Sequence, residues 1–472
     1  MEATKLTIQR RIHAMNTIAQ NSTDVQMAGT ISGFMKRYRI GKLLKACNAY
    51  KEKGVSAVKL FIFMLQMVFA DRSMYMQMKT GRWEEGFCKN TYYRFLNSMK
   101  VNWERFCLLL SEAIIHQTIE PLTGKDRKCA FIVDDTLYRR YGYKKTELSA
   151  AVFDHVDMKT RRGFRGLTLG WSDGNTFIPV THRLLSSPND DKVLGPQKEI
   201  DGRTLAGQRR RQARRKATVV MVELLKDALK TGIKASYVLF DSWFSQPAQI
   251  LQIKGMGLDT IAMVKKSGQT CYQWQGERLN IKQIYSRNRK RPGRSKYLLS
   301  VEVTVLSKDK AVADIPARLV YVRNRAKKKE WLAIICTDMS LTEQEIIRIY
   351  GKRWDIEVFF KTCKSYLKLT TECHSLSYDA LTAHTVIVFV RYMLLALEQR
   401  IATDERTMGE LFLLVVDELD DTSFAQSLQL IFAAMIESVC AVFHPTEEQI
   451  VLLTDNFISR LPQRYQALLL ED

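Results

Sequence analysis

The sequence predicts an α/β fold in which a core of alternating strands and helices is interrupted by a β-rich insertion and flanked by helical N- and C-terminal regions. Three observations carry that expectation. From Lys128 onward, short apolar runs bounded by turns (CAFIV, RGLTLGW, TFIPVTHRLL) precede a polar, basic helical segment from Leu205 to about Lys230. The strand SYVLF and the helix QPAQILQIKG follow, giving three strands, helix, strand, helix, an α/β layer with some parallel pairing. Residues 261–339 hold segments that alternate or run apolar at strand length, and both ends of the chain return to helical periods. The expected division is a helical domain at 1–125, a core at 126–260 and 340–370, a β-rich insertion at 261–339, and a helical region at 371–472 that serves dimerisation.

In chain order, ATKLTIQRRIHAMNTIAQ interleaves basic and apolar residues, and Ser56 to Ala70 reads as a dense apolar helix. Next, MYMQMKTGRWEEGFCKNTYYRFLNSM reads as short helices, the last beginning near Asn90. It offers Lys89, Thr91, Tyr92, Tyr93 and Arg94 as a helix-turn-helix reader would, and a three-helix bundle with a basic exterior explains it equally well. The repeat Met74, Met76, Met78 suits a core. Gly257 to Val264 adds a strand to the central layer. WQGERLNIKQIYSRN, YLLSVEVTVL, ARLVYVRN and KEWLAIICTD make the insertion, with little helical period in any of them.

A chain of 472 residues has room for roughly three domains. Its 72 Lys+Arg against 50 Asp+Glu leave a net charge of +22, which favours a polyanion, nucleic acid ahead of an anionic membrane surface. Met1 to Gln20 lacks the apolar run of a signal peptide. Thr385 to Leu397, the most apolar later stretch, is too short to span a bilayer and carries Arg391. No membrane role is expected. Nine scattered cysteines without a CxxC pair, and seven histidines without HExxH, argue against structural zinc and for a reducing cytoplasm. Three basic runs, Arg209 to Lys216, Arg287 to Lys296 and Arg323 to Lys329, are expected to border a groove for a duplex backbone, with Arg210 and Arg211 among its contacts.

Residues 341–369 place one acid among basic and aromatic groups. Tyr350, Arg353, Glu357 and Lys364 fall within an arc of roughly 60° on a continuous helix, and Ile349, Ile356, Phe360 and Cys363 form an adjacent apolar stripe. Thr342 and Glu345 are spaced as a capping box. A carboxylate flanked by cations and a phenol suits a phosphodiester: the acid can hold a divalent metal while the others grip phosphate oxygens. A solvated face laced with ion pairs is the commoner origin of such a row.

Two further acids raise the weight of the first reading. CAFIV runs into Asp134-Asp135, and SYVLF runs into Asp241, each at the carboxyl end of an expected strand where α/β sheets open their crevices. Two acids from neighbouring strands with Glu357 would make an all-oxygen cage for a pair of Mg²⁺ ions about 4 Å apart. Strand alternation lets only one of Asp134 and Asp135 enter it. Asp154, Asp157 and Asp173 fall in expected turns and rank lower.

With these residues in view, the sequence resembles the bacterial insertion-sequence DDE transposases of the insertion sequence 4 type, whose Tyr-x2-Arg-x3-Glu-x6-Lys signature Tyr350, Arg353, Glu357 and Lys364 match at every spacing. The resemblance implies a ribonuclease-H-like catalytic core and selects Asp134, because Thr136 completes the family's pattern, with Asp241 and Glu357 as the other catalytic and metal-binding acids. It implies two Mg²⁺ ions, with Mn²⁺ able to substitute, and contacts from Tyr350, Arg353 and Lys364 to the cleaved DNA end. Trp331 would receive a base flipped from that end. The implied activity is cut-and-paste transposition: binding of terminal inverted repeats, strand cleavage, a hairpin, and joining to target DNA in the bacterial nucleoid of the cytoplasm. A homodimer on double-stranded DNA would hold two ends, with Ala383 to Arg400 as the expected protein contact. A nuclease that cuts without joining, and a DNA-binding regulator or inactive domesticated descendant, are the alternatives.

Overall fold

The computed structural model describes residues 29–70, 74–80, 86–124, 126–154, 157–291, 295–324, 327, 330–401, 406–462 and 465–466. The expected basic segment at 3–20 lies outside them. The chain divides into two compact units, one drawn from Met1–Arg39, Tyr50–Phe95 and Arg406–Asp472, the other from Ile40–Ala49 and Leu96–Glu405. This differs from the linear division expected at 1–125 and 371–472, because the first unit joins both ends of the chain.

In the first unit the apolar helix Ala57–Gln66 is buried along its length, and Ser56 caps it by accepting from the Lys59 N–H at 3.1 Å. It is shorter than the expected 56–70. Thr30 donates its hydroxyl to Glu418 at 2.9 Å, tying the helix Gly29–Arg37 to the 36-residue helix Met408–Phe443. Met74 is buried, but Met76 and Met78 are 49% and 40% exposed, so the methionine repeat is not a core stripe. The helix Lys89–Leu96 does form, with Tyr93 and Arg94 exposed; the connection at 81–85 that a helix-turn-helix would need lies outside the described residues.

The second unit is built on an 11-stranded mixed sheet. Its strands are β1 (Ala130–Arg139), β2 (Ala150–Asp154), β3 (Lys159–Ser172), β4 (Phe177–Leu185), β5 (Tyr237–Phe240) and β6 (Asp259–Val264), then β7 (Cys271–Trp274), β8 (Glu277–Asn280), β9 (Leu299–Val305), β10 (Ile315–Arg323) and β11 (Trp331–Cys336). β1 pairs antiparallel with β3 on one side and parallel with β5 on the other; β4 is antiparallel to β3, and β6 parallel to β5. The order β4-β3-β1-β5-β6 continues without a break through β11, which pairs antiparallel with β6 from Ile261↔Cys336 onward, into β10 and β9.

The apolar runs that predict the strands are the core. Ala130 to Val133, Val238 to Phe240 and Ile261-Ala262 are fully buried, and the helices Trp103–Ile114 and Tyr378–Ile401 cover β4. The second of these is 24 residues long, so the expectation that Thr385 to Leu397 is too short to span a membrane does not hold for the whole helix; its apolar window is entirely buried inside the protein. Arg391 inside it is satisfied by Glu372. Ala383 to Leu397 is therefore core, and of the expected protein contact only Glu398 to Arg400 reach the surface.

Two local expectations are corrected. The helix expected over 205–230 is two helices, Leu205–Ala213 and Ala217–Thr231, because the backbone extends at Lys216. Within the β-rich segment, IKQIYSR is a helix, Ile281–Arg287, since Asn280 and Gln283 complete a capping box that a search for strand alternation overlooks.

Candidate active site

The parallel register of β1 and β5 runs Ala130↔Tyr237 to Ile132↔Leu239, so two residues further on Asp134 and Asp241 reach the same level of the sheet. β1 continues to Arg139 because β3 keeps pairing with it, which places Asp134 inside the strand rather than at its end. β5 does end at Phe240, and Asp241 opens a turn by accepting the Trp243 N–H at 2.9 Å. Asp134 accepts the Asp135 N–H at 2.8 Å. Alternation separates the two neighbours as expected: Asp134 faces Arg353, while Asp135 forms an ion pair with Arg165 of β3 at 2.6 Å.

Glu357 comes from the first turn of the helix Trp354–Ser365. The expected single helix is broken: Glu343–Gly351, started by the capping box of Thr342 and Glu345, ends before Lys352-Arg353. Through that joint the N–H groups of Lys352, Arg353 and Asp355 bond three residues back, to Ile349, Tyr350 and Lys352, so the turn tightens without reversing direction. The joint is pinned. Lys352 donates to the carbonyls of Lys128 at 2.7 Å and Asp173 at 3.1 Å, and Ser172 donates to Asp355 at 2.7 Å. The end of the Lys352 side chain lies 2.8 Å from where a Cβ on Gly174 would sit, and the φ of +93° there makes glycine the residue that turn needs. Ile356, Phe359 and Cys363 fill the core beneath, Phe359 against Phe177, Phe389 and Tyr392.

Arg353 joins the acids. Its guanidinium donates to Asp134 at 3.3 Å and to Glu357 by a short hydrogen bond. Tyr350 packs beside it, the guanidinium 5.9 Å from the ring centroid, with a buried hydroxyl that does not reach good hydrogen-bond geometry. Burial pushes that phenol up to about 12, so it stays a donor at neutral pH. Lys364 does not join them: it is exposed, two turns or about 10 Å along the helix from Glu357, within the field of Asp154.

Burial, followed by the charges of Asp135 and Asp241, pushes Asp134 up to about 7 despite Arg353. Among the described residues no group of three or more His, Cys, Asp or Glu side chains is gathered tightly enough to hold a metal ion. The donor chemistry nonetheless fits one. The three acids are hard oxygen ligands, and the repulsion that keeps Asp134 partly protonated is what a divalent cation relieves. In the metal-free protein this carboxyl costs stability as pH rises from about 3.8, its ordinary value, to about 7. Mg²⁺ competes with the same proton, so thermal melting is expected to show a larger Mg²⁺-induced rise in Tm at about pH 8 than at about pH 6. Asp134→Asn should erase that pH difference; a difference that survives would remove Asp134 from the metal site.

The remaining expected contacts separate. Trp331 opens β11 with one face stacked on Tyr285 at 4.7 Å, Tyr321 at its edge and the Lys266 ammonium 4.4 Å from its ring centroid, so its ring is already engaged. Arg211 and Arg94 are exposed. Arg210 is not a DNA contact: it is buried and held by Glu147 at 2.7 Å and Asp379 at 2.8 Å, while Arg209 reaches Asp379 at 2.6 Å. Arg214 and Arg215 are likewise paired, with Asp190 and Glu223. Arg209 and Arg210 are therefore structural, while Arg211, Arg215 and Lys216 are exposed. Asp173, among the lower-ranked acids, is a turn residue bonded to Thr123, Asn175, Thr176 and Arg400. Sequence reasoning passed over Lys352, Asp355 and Trp243; for Trp243 the signal was present, an aromatic two residues after Asp241.

Residues 63–332, more than half the chain, match the protein family described as DDE superfamily endonuclease. The match takes in Asp134 and Asp241 and ends before Glu357. A search of curated proteins finds none that matches the chain.

Proposed function

The chain belongs to the DDE superfamily endonucleases, and from that premise we propose that it is an insertion-sequence DNA transposase with Asp134, Asp241 and Glu357 as its catalytic acids. The observation that carries this is the convergence of Tyr350, Arg353 and Glu357 on the level of the sheet where Asp134 and Asp241 stand together. The strand order β4-β3-β1-β5-β6, three antiparallel strands followed by two parallel ones, supports a ribonuclease-H-like core. The strands β7 to β11 then correspond to the insertion.

Divalent ions held by the three acids would activate the attacking hydroxyl and stabilise the leaving oxygen. The protein's own groups orient the phosphodiester. Arg353, released from one of its carboxylates, offers a planar pair of N–H donors to a non-bridging phosphate oxygen, and Tyr350 supplies a neutral hydroxyl beside it. Water attacks first, forming one O–P bond and freeing a 3′-hydroxyl. That hydroxyl then attacks the opposite strand to close a hairpin, which is reopened before the end joins target DNA. Each displacement needs positioning and charge stabilisation at phosphorus, so a single cage serves them all. Two ends must be held, which calls for a dimer on DNA through a surface other than Ala383 to Leu397.

The test is an end-cleavage assay with full-length protein, Mg²⁺ and labelled duplex from the DNA flanking the gene. A nick that converts to a hairpin and then to covalent transfer products is the expected result. Cleavage without joining would identify a nuclease. Tight, salt-sensitive binding without any cleavage would identify a DNA-binding regulator or inactive descendant.

A further inference from the structure

Two consecutive residues of the helix joint reach the same stretch of chain at well separated points. Lys352 donates to the carbonyl of Lys128, just before β1 begins, while Arg353 donates to Asp134 inside that strand. Extended chain covers the interval from Lys128 to Asp134 in roughly 20 Å. The second grip of Lys352 is the carbonyl of Asp173, in the turn between β3 and β4. That turn is itself fixed, because the Asp173 carboxylate accepts from Thr123, Asn175, Thr176 and Arg400. Both hydrogen bonds of the Lys352 ammonium go to backbone carbonyls, and among the described residues it enters no ion pair. Ser172 adds a smaller brace one residue beyond Arg353's neighbour Trp354: its hydroxyl donates to Asp355 and accepts the Gly174 N–H.

We propose that Lys352 is a positioning residue for the cleavage step, fixing where the joint sits along β1 and so setting Arg353 and Glu357 against Asp134. The inference rests on the transposase reading for what the acids do. Glu357 lies in the first turn of the helix that follows the joint, so a shift of the joint moves the carboxylate and the guanidinium together. A displacement of about 1 Å at a reacting centre is enough to cost on the order of 100-fold in rate. The ammonium is already used by the protein, so its loss falls on the rate of cleavage rather than on affinity for DNA. The Tyr-x2-Arg-x3-Glu spacing sets the reach of Arg353 and Glu357 relative to each other; Lys352, between Tyr350 and Arg353, sets that pair relative to the sheet.

The test compares full-length wild type with Lys352→Met, which keeps an apolar stem and loses the donors. Without DNA or divalent ion, hydrogen exchange read by mass spectrometry should be about ten-fold or more faster over peptides spanning 349–358 and unchanged over β5. With Mg²⁺ and saturating labelled duplex from the flanking DNA, cleavage should fall about ten- to hundred-fold while affinity for that duplex keeps its wild-type value. Lys352→Cys alkylated with 2-bromoethylamine, which rebuilds an ammonium at nearly the reach of lysine, should regain most of the rate; wild type treated alike controls for the nine native cysteines. Should Lys352→Met not fold, the alkylated and unalkylated Lys352→Cys proteins give the same comparison. Wild-type exchange at the joint, wild-type cleavage in Lys352→Met, or equal loss of affinity and rate overturns the proposal. A wild type that binds DNA and never cleaves sinks the transposase reading instead, and faster exchange in Lys352→Met would then still leave the brace of the joint standing.

Discussion

Asp241→Asn is expected to lower end cleavage by on the order of 10³-fold or more while affinity for the same DNA stays unchanged. The amide keeps the shape of the carboxylate and can still accept the Trp243 N–H that shapes the turn after β5. What it removes is charge, at the level of the sheet where Asp134 already carries a pKa pushed up to about 7 by burial and its acidic neighbours. Relieving that repulsion should stabilise the metal-free fold slightly, so the variant is predicted to melt no lower than wild type. Gel-shift and cleavage assays on one preparation measure the split. Equal loss of binding and cleavage would mean that Asp241 serves the fold or the DNA contact, and retained cleavage would displace it from the cage.

Arg210→Ala is expected to destabilise the protein by about 3–5 kcal/mol, because it leaves the nearly inaccessible Glu147 without its buried cation and takes from Asp379 one of its two arginines. In a chain of this size that corresponds to a fall in Tm of about 3–5 °C. Arg211→Ala, one residue along the same basic run, should stay within about 0.5 kcal/mol since Arg211 faces solvent. Chemical denaturation of both variants reads the contrast. Equal stabilities would place Arg210 outside the network that joins the helix Leu205–Ala213 to the start of Tyr378–Ile401.

That contrast shows where sequence reasoning stops. A run such as RRRQARRK is scored by its charge, and nothing in its neighbours reveals that Glu147 and Asp379 reach two of its arginines from more than 60 and 160 residues away. Most of the strands were legible because they carry their own burial pattern, β2 and β7 being passed over, and the acids because they follow the apolar runs directly. Alternation even separated Asp134 from Asp135. The joint at Lys352-Arg353 was not legible: its backbone stays near helical, so the spacing from Tyr350 to Glu357 survives while the axis is interrupted. The pairing of the two chain ends in one unit rests on contacts such as Thr30 with Glu418, 388 residues apart, for which no local pattern exists.

The antiparallel pairing of β11 with β6 has a consequence for anyone trimming this protein to a minimal catalytic core. Removing the strands from β7 to β11 would not excise a module on a hinge; it would strip the partner from Ile261 to Val264 and displace Thr337, the residue after β11, whose hydroxyl now accepts the Thr260 N–H at 2.9 Å. A buried, apolar strand would become an open edge, with a row of unpaired amides ready to pair with another copy. Such a truncation should express as aggregates even if every catalytic residue is retained, and solubility would return by covering that edge, with lysine or proline on β6, sooner than by repairing the core.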